Sequence, residues 1–371
     1  LSWLLAAVGV VGLIVAFSVN AHAAQSATSQ DWSPFVLVSG LLLIGLVADG
    51  DGLFAAAGNT LARLSSNGVV LFLGATVVIS LITALLNLDT SVAFLTPVLV
   101  YAAKSRGSAE APLLYGCLLL SNAGSLFLPG SNLTNLIVLG HLRLTGAAFL
   151  GHTWAPATTA LVVTALVVLV AERRELNVKS LKVERTERPV LSLGLAGVAA
   201  GALLVLVLPS PALAVLGVGV VVTVLRLATG KATPGHVFQV LGVPVLVGLF
   251  GVAVTLGTVG RLWSGPSVLL SHLDVWGTAA FAGVSSVLVN NLPAASMLAA
   301  RASPHPFALL IGLNLGPNLL VTGSLAWLLW LRAARLAGAR PSLKKASQLG
   351  AFVVPASMAA AVLALLATSH G

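Results

Sequence analysis

The chain has little charge: Asp, Glu, Lys and Arg make up 8% of its 371 residues, against 58% hydrophobic residues. Soluble globular domains carry about 25% charged residues. The shortage excludes an ordinary water-soluble fold. Cysteine is nearly absent; Cys117 stands alone in an apolar run, which excludes a disulfide framework and a thiolate cluster. No Walker A pattern is present, which argues against ATP hydrolysis within this chain. Catalytic Ser/His/Asp arrangements are missing too, and six of the seven histidines (His22, His141, His152, His272, His305 and His370) are scattered without metal-ligand spacing and read as loop residues. The sequence therefore points to no enzyme and to no resident metal or cofactor. A net charge of +9 would suit nucleic acid, but the basic residues are dispersed among loops, as membrane topology requires.

What fills the chain instead is apolar runs of near-spanning length. Segments of about 18 residues recur throughout, and each can cross a hydrocarbon layer of roughly 30 Å. Candidate spans fall at 1–19, 34–48, 112–141, 153–171, 190–208, 211–227, 238–259, 305–331 and 349–368. Those at 112–141 and 305–331 are interrupted by Gly, Pro and polar residues. Two further segments, 68–103 and 275–300, have a polar tip in the middle and charges at both ends, and read as re-entrant hairpins. Placing Leu1 inside puts 16 of the 19 Lys/Arg in the cytoplasm and leaves only Arg143, Arg261 and Arg301 outside. The excess of inside positive charge selects this threading. It makes the protein multi-pass, in the inner (plasma) membrane of a cell. Ala21-His22-Ala23 resembles a signal-peptidase site, but the threading needs residues 1–19 as a span.

The polar interruptions are written twice. Ser121–Asn135 and Leu313–Trp327 align without a gap at an offset of 192 residues, matching Asn122 to Asn314, Gly124 to Gly316, Leu128 to Leu320 and Leu133 to Leu325. The hairpin tips, in Ala84–Pro97 and Val287–Ala300, precede them in each half. Interrupted segments at corresponding places in two halves are the best sequence pointer to a transporter's binding site. Unwound backbone in lipid is tolerated only where it is buried in protein or lines a cavity. The expected fold is an all-α polytopic membrane protein of two inverted-topology repeats, each with a re-entrant hairpin and a broken helix. The first repeat covers 1–170, a cytoplasmic linker 171–189 and the second repeat 190–371. The first half has one span fewer before its hairpin, so a further upstream helix is expected. Asp51–Gly68 is weakly amphipathic and suits the cytoplasmic interface.

Asp89 is the acid expected at membrane depth; the other nine acidic residues fall at segment ends or in loops. An ionisable residue there marks a functional site by default, and a proton-coupling role is expected of Asp89. The competing reading is a carboxylate that locks the hairpin tip. Asn87, Thr90 and Ser91 flank it, and Asn290, Asn291 and Pro293 form the other tip. Their neutral donors and acceptors suit a small polar solute or a cation, and helix capping is the plainer alternative. In the broken helices Ser131, Asn132, Thr134 and Asn135 correspond to Thr322, Gly323 and Ser324, where free backbone N–H groups favour an anion or a neutral oxy-solute. Asn122, Asn314 and Asn318 are candidate ion-coupling residues or interhelical hydrogen-bond glue. Asp49 and Asp51 read as a solvated helix end, with a gate or pathway role as the alternative.

These stretches resemble the arsenite/antimonite efflux permease family of the ion transporter superfamily. The resemblance runs from Leu41 to the C-terminus and is carried by GLVADGDGLFAAAGNTLARL, LLNLDTSVAFLTPVLV, LPGSNLTNLIV, VNNLPAASM and NLGPNLLVTGSLAWLLWLR. It implies secondary export of trivalent metalloid hydroxide in exchange for protons, sometimes with a soluble ATPase partner, and it leaves room for a homodimer. The family's tip acid falls on Asp89, its tip asparagines on Asn290 and Asn291, and its broken-helix polar residues on Ser131, Asn132, Asn135, Gly323 and Ser324. Acids often stand in that family where this chain has Asn122 and Asn314, and a lysine where it has Asn318. Those changes leave a mostly neutral site, and a sodium- or proton-coupled dicarboxylate-type anion carrier of the same superfamily is the alternative.

Overall fold

The computed structural model describes residues 2–64, 67–140, 142, 144–176 and 192–368. Most of the linker expected at 171–189, with Ser66, His141 and Arg143, lies outside the described residues. The described residues contain helices and no strand. The first half runs α1 (Ser2–Val19), α2 (Ala21–Gly50), α3 (Leu53–Leu64), α4 (Gly68–Leu85), α5 (Leu88–Ser105), α6 (Ala111–Gly124), α7 (Leu133–Leu139) and α8 (Gly146–Ala171). After the short α9 (Arg173–Leu176) come α10 (Leu193–Val207), α11 (Ala212–Ala228), α12 (Pro234–Leu241), α13 (Val243–Leu262) and α14 (Gly265–His272). The second half closes with α15 (Val275–Val289), α16 (Asn291–Leu298), α17 (Pro306–Leu315), α18 (Leu325–Leu336) and α19 (Leu343–Thr368). Helix pairs stand where the two hairpins are expected, α4–α5 and α15–α16, and helices interrupted by turns where the two broken helices are expected, α6–α7 and α17–α18.

Packing between the halves is reciprocal. α1 lies along α13, α2 along α11, and α8 along α19. Each hairpin's second arm packs on the terminal piece of the opposite broken helix, α5 on α18 and α16 on α7. Glycine permits the first two contacts. A Cβ on Gly251 would come 2.1 Å from Gly9 O, and one on Gly219 would come 2.6 Å from Gly40 O. Helices in lipid associate through such close backbone approach, because lipid tails give no hydrophobic drive. The outward surface suits lipid: Trp3, Leu4, Val11 and Ile14 of α1, with Val77 and Leu81 of α4, are exposed. Among the described residues, six helical segments are long and apolar enough to cross a membrane.

One boundary differs from the sequence reading in a way that matters. The span expected at 34–48 is the second part of a helix that starts at Ala21. Asn20 caps it by accepting a hydrogen bond from Ala23 N at 2.9 Å, and the helix continues through Pro34. Its polar first turns survive because Ala23, Ala24, Ala27 and Asp31 face inward. Hydropathy alone reads that stretch as a loop. Asp31, assigned above to a loop, is therefore a buried acid, 1% exposed, within a spanning helix. Asp51 also differs from a solvated helix end: it forms an ion pair with Arg226 of α11 and accepts from Gly194 N at 2.7 Å.

Candidate functional site

Both broken helices fail for the same local reason. After α6, Pro129 and Gly130 open a 3-10 turn, Pro129–Ser131, and Asn132 caps α7 by accepting from Thr134 N at 3.2 Å. After α17, Pro317 sits in a 3-10 turn, Gly316–Asn318, and Ser324 precedes α18 without making a side-chain cap. The terminal pieces start at Leu133 and Leu325, which keeps the 192-residue offset seen in the sequence.

The two breaks meet through asparagine. Asn314 Oδ1 accepts from Ser125 Oγ at 2.6 Å and from Asn132 Nδ2 at 2.8 Å. Its Nδ2 donates to Asn135 Oδ1 and to Leu310 O, both at 2.8 Å. Asn122 Nδ2 donates to Asn318 Oδ1 at 2.8 Å, and Asn318 Nδ2 to Leu119 O at 3.1 Å. Ser131 Oγ and Asn135 Nδ2 both donate to Ser125 O, at 2.6 and 2.7 Å. All seven of these side chains are buried. Asn314 has used its whole hydrogen-bonding capacity, two donors and two acceptor sites. It ties the halves together, as glue would. Asn122 Oδ1, Thr134 Oγ1 and Ser324 Oγ, by contrast, are buried without a partner. Ser125, the network's second hub, was not singled out from the sequence; its place between Asn122 and Pro129 in the polar interruption was the available signal.

The hairpin tips differ. At the first, Asn87 caps α5 by accepting from Thr90 N at 2.7 Å. Asn87 Nδ2 and Thr90 Oγ1 are buried and unpartnered. Asp89 is partly buried, with no hydrogen bond or ion pair to its side chain among the described residues. One turn on, the Ser91 and Ser121 hydroxyls lie 3.4 Å apart, joining this tip to the helix that carries Asn122. At the second tip, Asn290 caps α16 in a left-handed conformation, φ 77°, accepting from Leu292 N at 3.3 Å. This tip is bonded to the second break: Asn291 N donates to Gly323 O at 2.8 Å, Asn290 Nδ2 to Thr322 O at 3.2 Å, and Thr322 Oγ1 to Val287 O at 2.7 Å.

The arrangement can hold a small solute by neutral hydrogen bonds. No lysine or arginine lies in either tip or either break, from Leu86 to Ser91, Ser125 to Asn135, Val289 to Pro293 or Gly316 to Ser324. Asp89 is the one ionisable side chain in those stretches. A recess of about 230 Å³ runs between Ser29, Gln30 and Ser33 of α2 and Pro129 of the first break.

The model of the CitMHS family, described as citrate transporter, matches residues 1–331. Among solved structures, the chain is similar to the YdaH transporter of Alcanivorax borkumensis, described as having an unusual topology. The two are 17% identical with a TM-score of 0.56, over 89% of this chain and 84% of that one. At that identity the likeness speaks for the fold alone.

Proposed function

This chain belongs to the citrate transporter family, and from that premise we propose that it is a secondary active transporter exporting trivalent metalloid hydroxide, arsenite or antimonite, in exchange for protons by alternating access. The observation that carries this reading is the first tip: buried, unpartnered Asn87 Nδ2 and Thr90 Oγ1 beside Asp89, with no cation nearby in either tip or break. A buried polar group without a partner costs about 1–3 kcal/mol. A hydroxylated solute supplies the missing partners. Citrate and other polyanions would need fixed positive charge, and helix-end dipoles offer only about half a charge each. Asp89 carries the proton. Thr134 and Ser324 add unused hydroxyls from the two breaks, and Asn290, Asn291, Thr322 and Gly323 form the opposing wall.

Two measurements test the reading. Arsenite or antimonite should raise the thermal stability of the purified protein, by about 2.7 kcal/mol at a hundredfold excess over its dissociation constant, and citrate and succinate should not. Saturable stabilisation by citrate with none by arsenite would sink the metalloid assignment. The inverted arrangement of the halves is part of the proposal. It places Ser105 in the cytoplasm and Ser267 outside, so cysteines at these positions should react with impermeant reagent from opposite faces of oriented vesicles. Labelling of both from one face would remove it.

A further inference from the structure

Away from the proposed solute site, α2 carries a second unusual acid. Asp31 is 1% exposed, its Oδ2 has no partner, and no hydrogen bond reaches either of its oxygens among the described residues. Arg261 of α13 is the charge whose field acts on Asp31, yet the two form no ion pair. The guanidinium donates elsewhere: Nη1 to Gly257 O at 2.9 Å, and Nη2 to Ser26 O at 3.3 Å and to Gln30 Oε1. Gln30, one residue before Asp31, completes the junction. Its Nε2 donates to Ile137 O and to Ala299 O, both at 2.9 Å. Those carbonyls lie at the C-terminal ends of α7 and α16, the pieces that carry the first break and the second hairpin. Gln30 thus ties α2 to three others, α13 and the two elements next to the proposed solute site. Fit at the tie is close, since a Cβ on Gly140 would meet Gln30 Cγ at 2.9 Å.

An ionised carboxylate is not retained in such a place without a partner, because burial of an unpaired charge costs several kcal/mol. Arg261 is the only described titratable group that the packed elements bring to it. α1, α7, α10 and α16 have none, and Arg226 of α11 is paired with Asp51 at the other end of α2, which also holds Asp49 and, from α12, His236. Asp89 and Lys104 are on α5, with Lys104 donating to Ala337 O and Gly338 O, and His22 lines the water-facing recess beside Arg261. We propose that Asp31 is a second proton-binding site of the transport cycle, and that Arg261 switches between Gln30 and Asp31. While Gln30 holds α7 and α16, Arg261 is engaged and Asp31 keeps its proton. When those elements move off, Gln30 loses its acceptors and Arg261 turns to Asp31. The O–H bond of Asp31 then breaks, and the proton passes to water in the recess lined by His22, Gln25, Ser26 and Ser29. The inference rests on the alternating-access part of the proposed function and is independent of which solute is carried.

Infrared spectroscopy of the purified protein, with no solute present, reads the switch directly. A protonated-carboxyl band should be present in the wild type and missing from Asp31→Asn. Gln30→Ala should weaken the same band at unchanged pH, and Arg261→Met should keep it at a pH where the wild type loses it. If Asp31→Asn removes no part of the protonated-carboxyl signal, or Gln30→Ala leaves the Asp31 band at full strength, the proposal is overturned. Should Asp31→Asn fail to fold, Asp31→Glu must shift the band, and an unmoved band overturns the proposal equally. Failure of arsenite to bind would leave all of these results standing.

Discussion

The two hairpin tips start from similar sequence and end in different bonding states. Tip two is closed on its own broken helix by the bonds from Asn290, Asn291 and Thr322, so its polar groups are mostly spent. Tip one is packed more deeply, with Leu86 1%, Asn87 2% and Leu88 3% exposed, yet it holds unspent donors and an unpaired acid. Depth and satisfaction usually go together, since buried polar groups are nearly always hydrogen-bonded. Their separation sets tip one apart, and it is the ground on which the solute site is proposed there. At tip two the Asn290 side chain and the Asn291 backbone N–H act as a clasp. The contrast is between unspent groups at the first tip and a closed second tip, and the sequence marks it with Asp89 and Thr90 at the one and Leu292 and Pro293 at the other.

The largest expected effect lies at the unspent tip. Asp89→Asn should abolish gradient-driven transport, because Asn matches the shape of Asp and cannot titrate. Exchange of bound solute without a gradient should persist. Everted-vesicle efflux with and without a pH gradient checks both arms; gradient-driven flux at the wild-type level would reduce Asp89 to a structural lock. Next comes the clasp. Gly323→Ala, at the residue whose carbonyl accepts from Asn291 N, would place a Cβ 2.5 Å from Pro317 Cα and 2.8 Å from Pro317 O. Backbone must shift to make room, and overpacking of this kind costs about 1–3 kcal/mol. A lower melting temperature and slower transport are expected, and an unchanged melting temperature would mean that the second loop is more plastic than its bonding suggests.

Much of this was legible beforehand, and the reasons are physical. Apolar runs of bilayer length gave the spans, and Gly/Pro interruptions marked where backbone leaves the helix. The 192-residue offset returned as the matched helix starts at Leu133 and Leu325. The polar residues of the tips and breaks were legible as types, because few polar groups stand in such apolar surroundings. What each one bonds to was not. Asn314 reaches Asn132 and Asn135 across 182 and 179 residues of chain, and no local pattern encodes that distance. The first turns of α2 were missed because mean hydropathy weighs residues without regard to face. The signal was present in Ala24, Ala27, Asp31, Phe35 and Val38, buried positions at helical spacing of three or four. Reading that stripe would have placed Asp31 inside and Gln30 beside it.

The smallest expected effect is also the cleanest test of the contrast, because one substitution can be made on both sides of it. Thr→Val exchanges a hydroxyl for a methyl at nearly constant volume. At Thr322 the hydroxyl donates to Val287 O at 2.7 Å, so Thr322→Val breaks a bond worth about 0.5–1.5 kcal/mol and loosens the clasp. The site is exposed, so water can satisfy the freed carbonyl and the loss should fall at the low end. At Thr90 the hydroxyl is fully buried with no partner, so Thr90→Val removes an unsatisfied group rather than a bond. Replacing such a group with an apolar one of the same shape is neutral or stabilising. Thr90→Val should therefore unfold at the wild-type temperature or slightly above it, while solute-dependent stabilisation weakens. Thr322→Val should show the reverse pattern, a small loss of stability with solute stabilisation largely retained, because the hydroxyl it removes from the opposing wall is already spent on Val287 O. Thermal unfolding of both variants with and without solute decides it: if Thr90→Val lowers stability as much as Thr322→Val does, the Thr90 hydroxyl has a partner in the solute-free protein, and the first tip is as closed as the second.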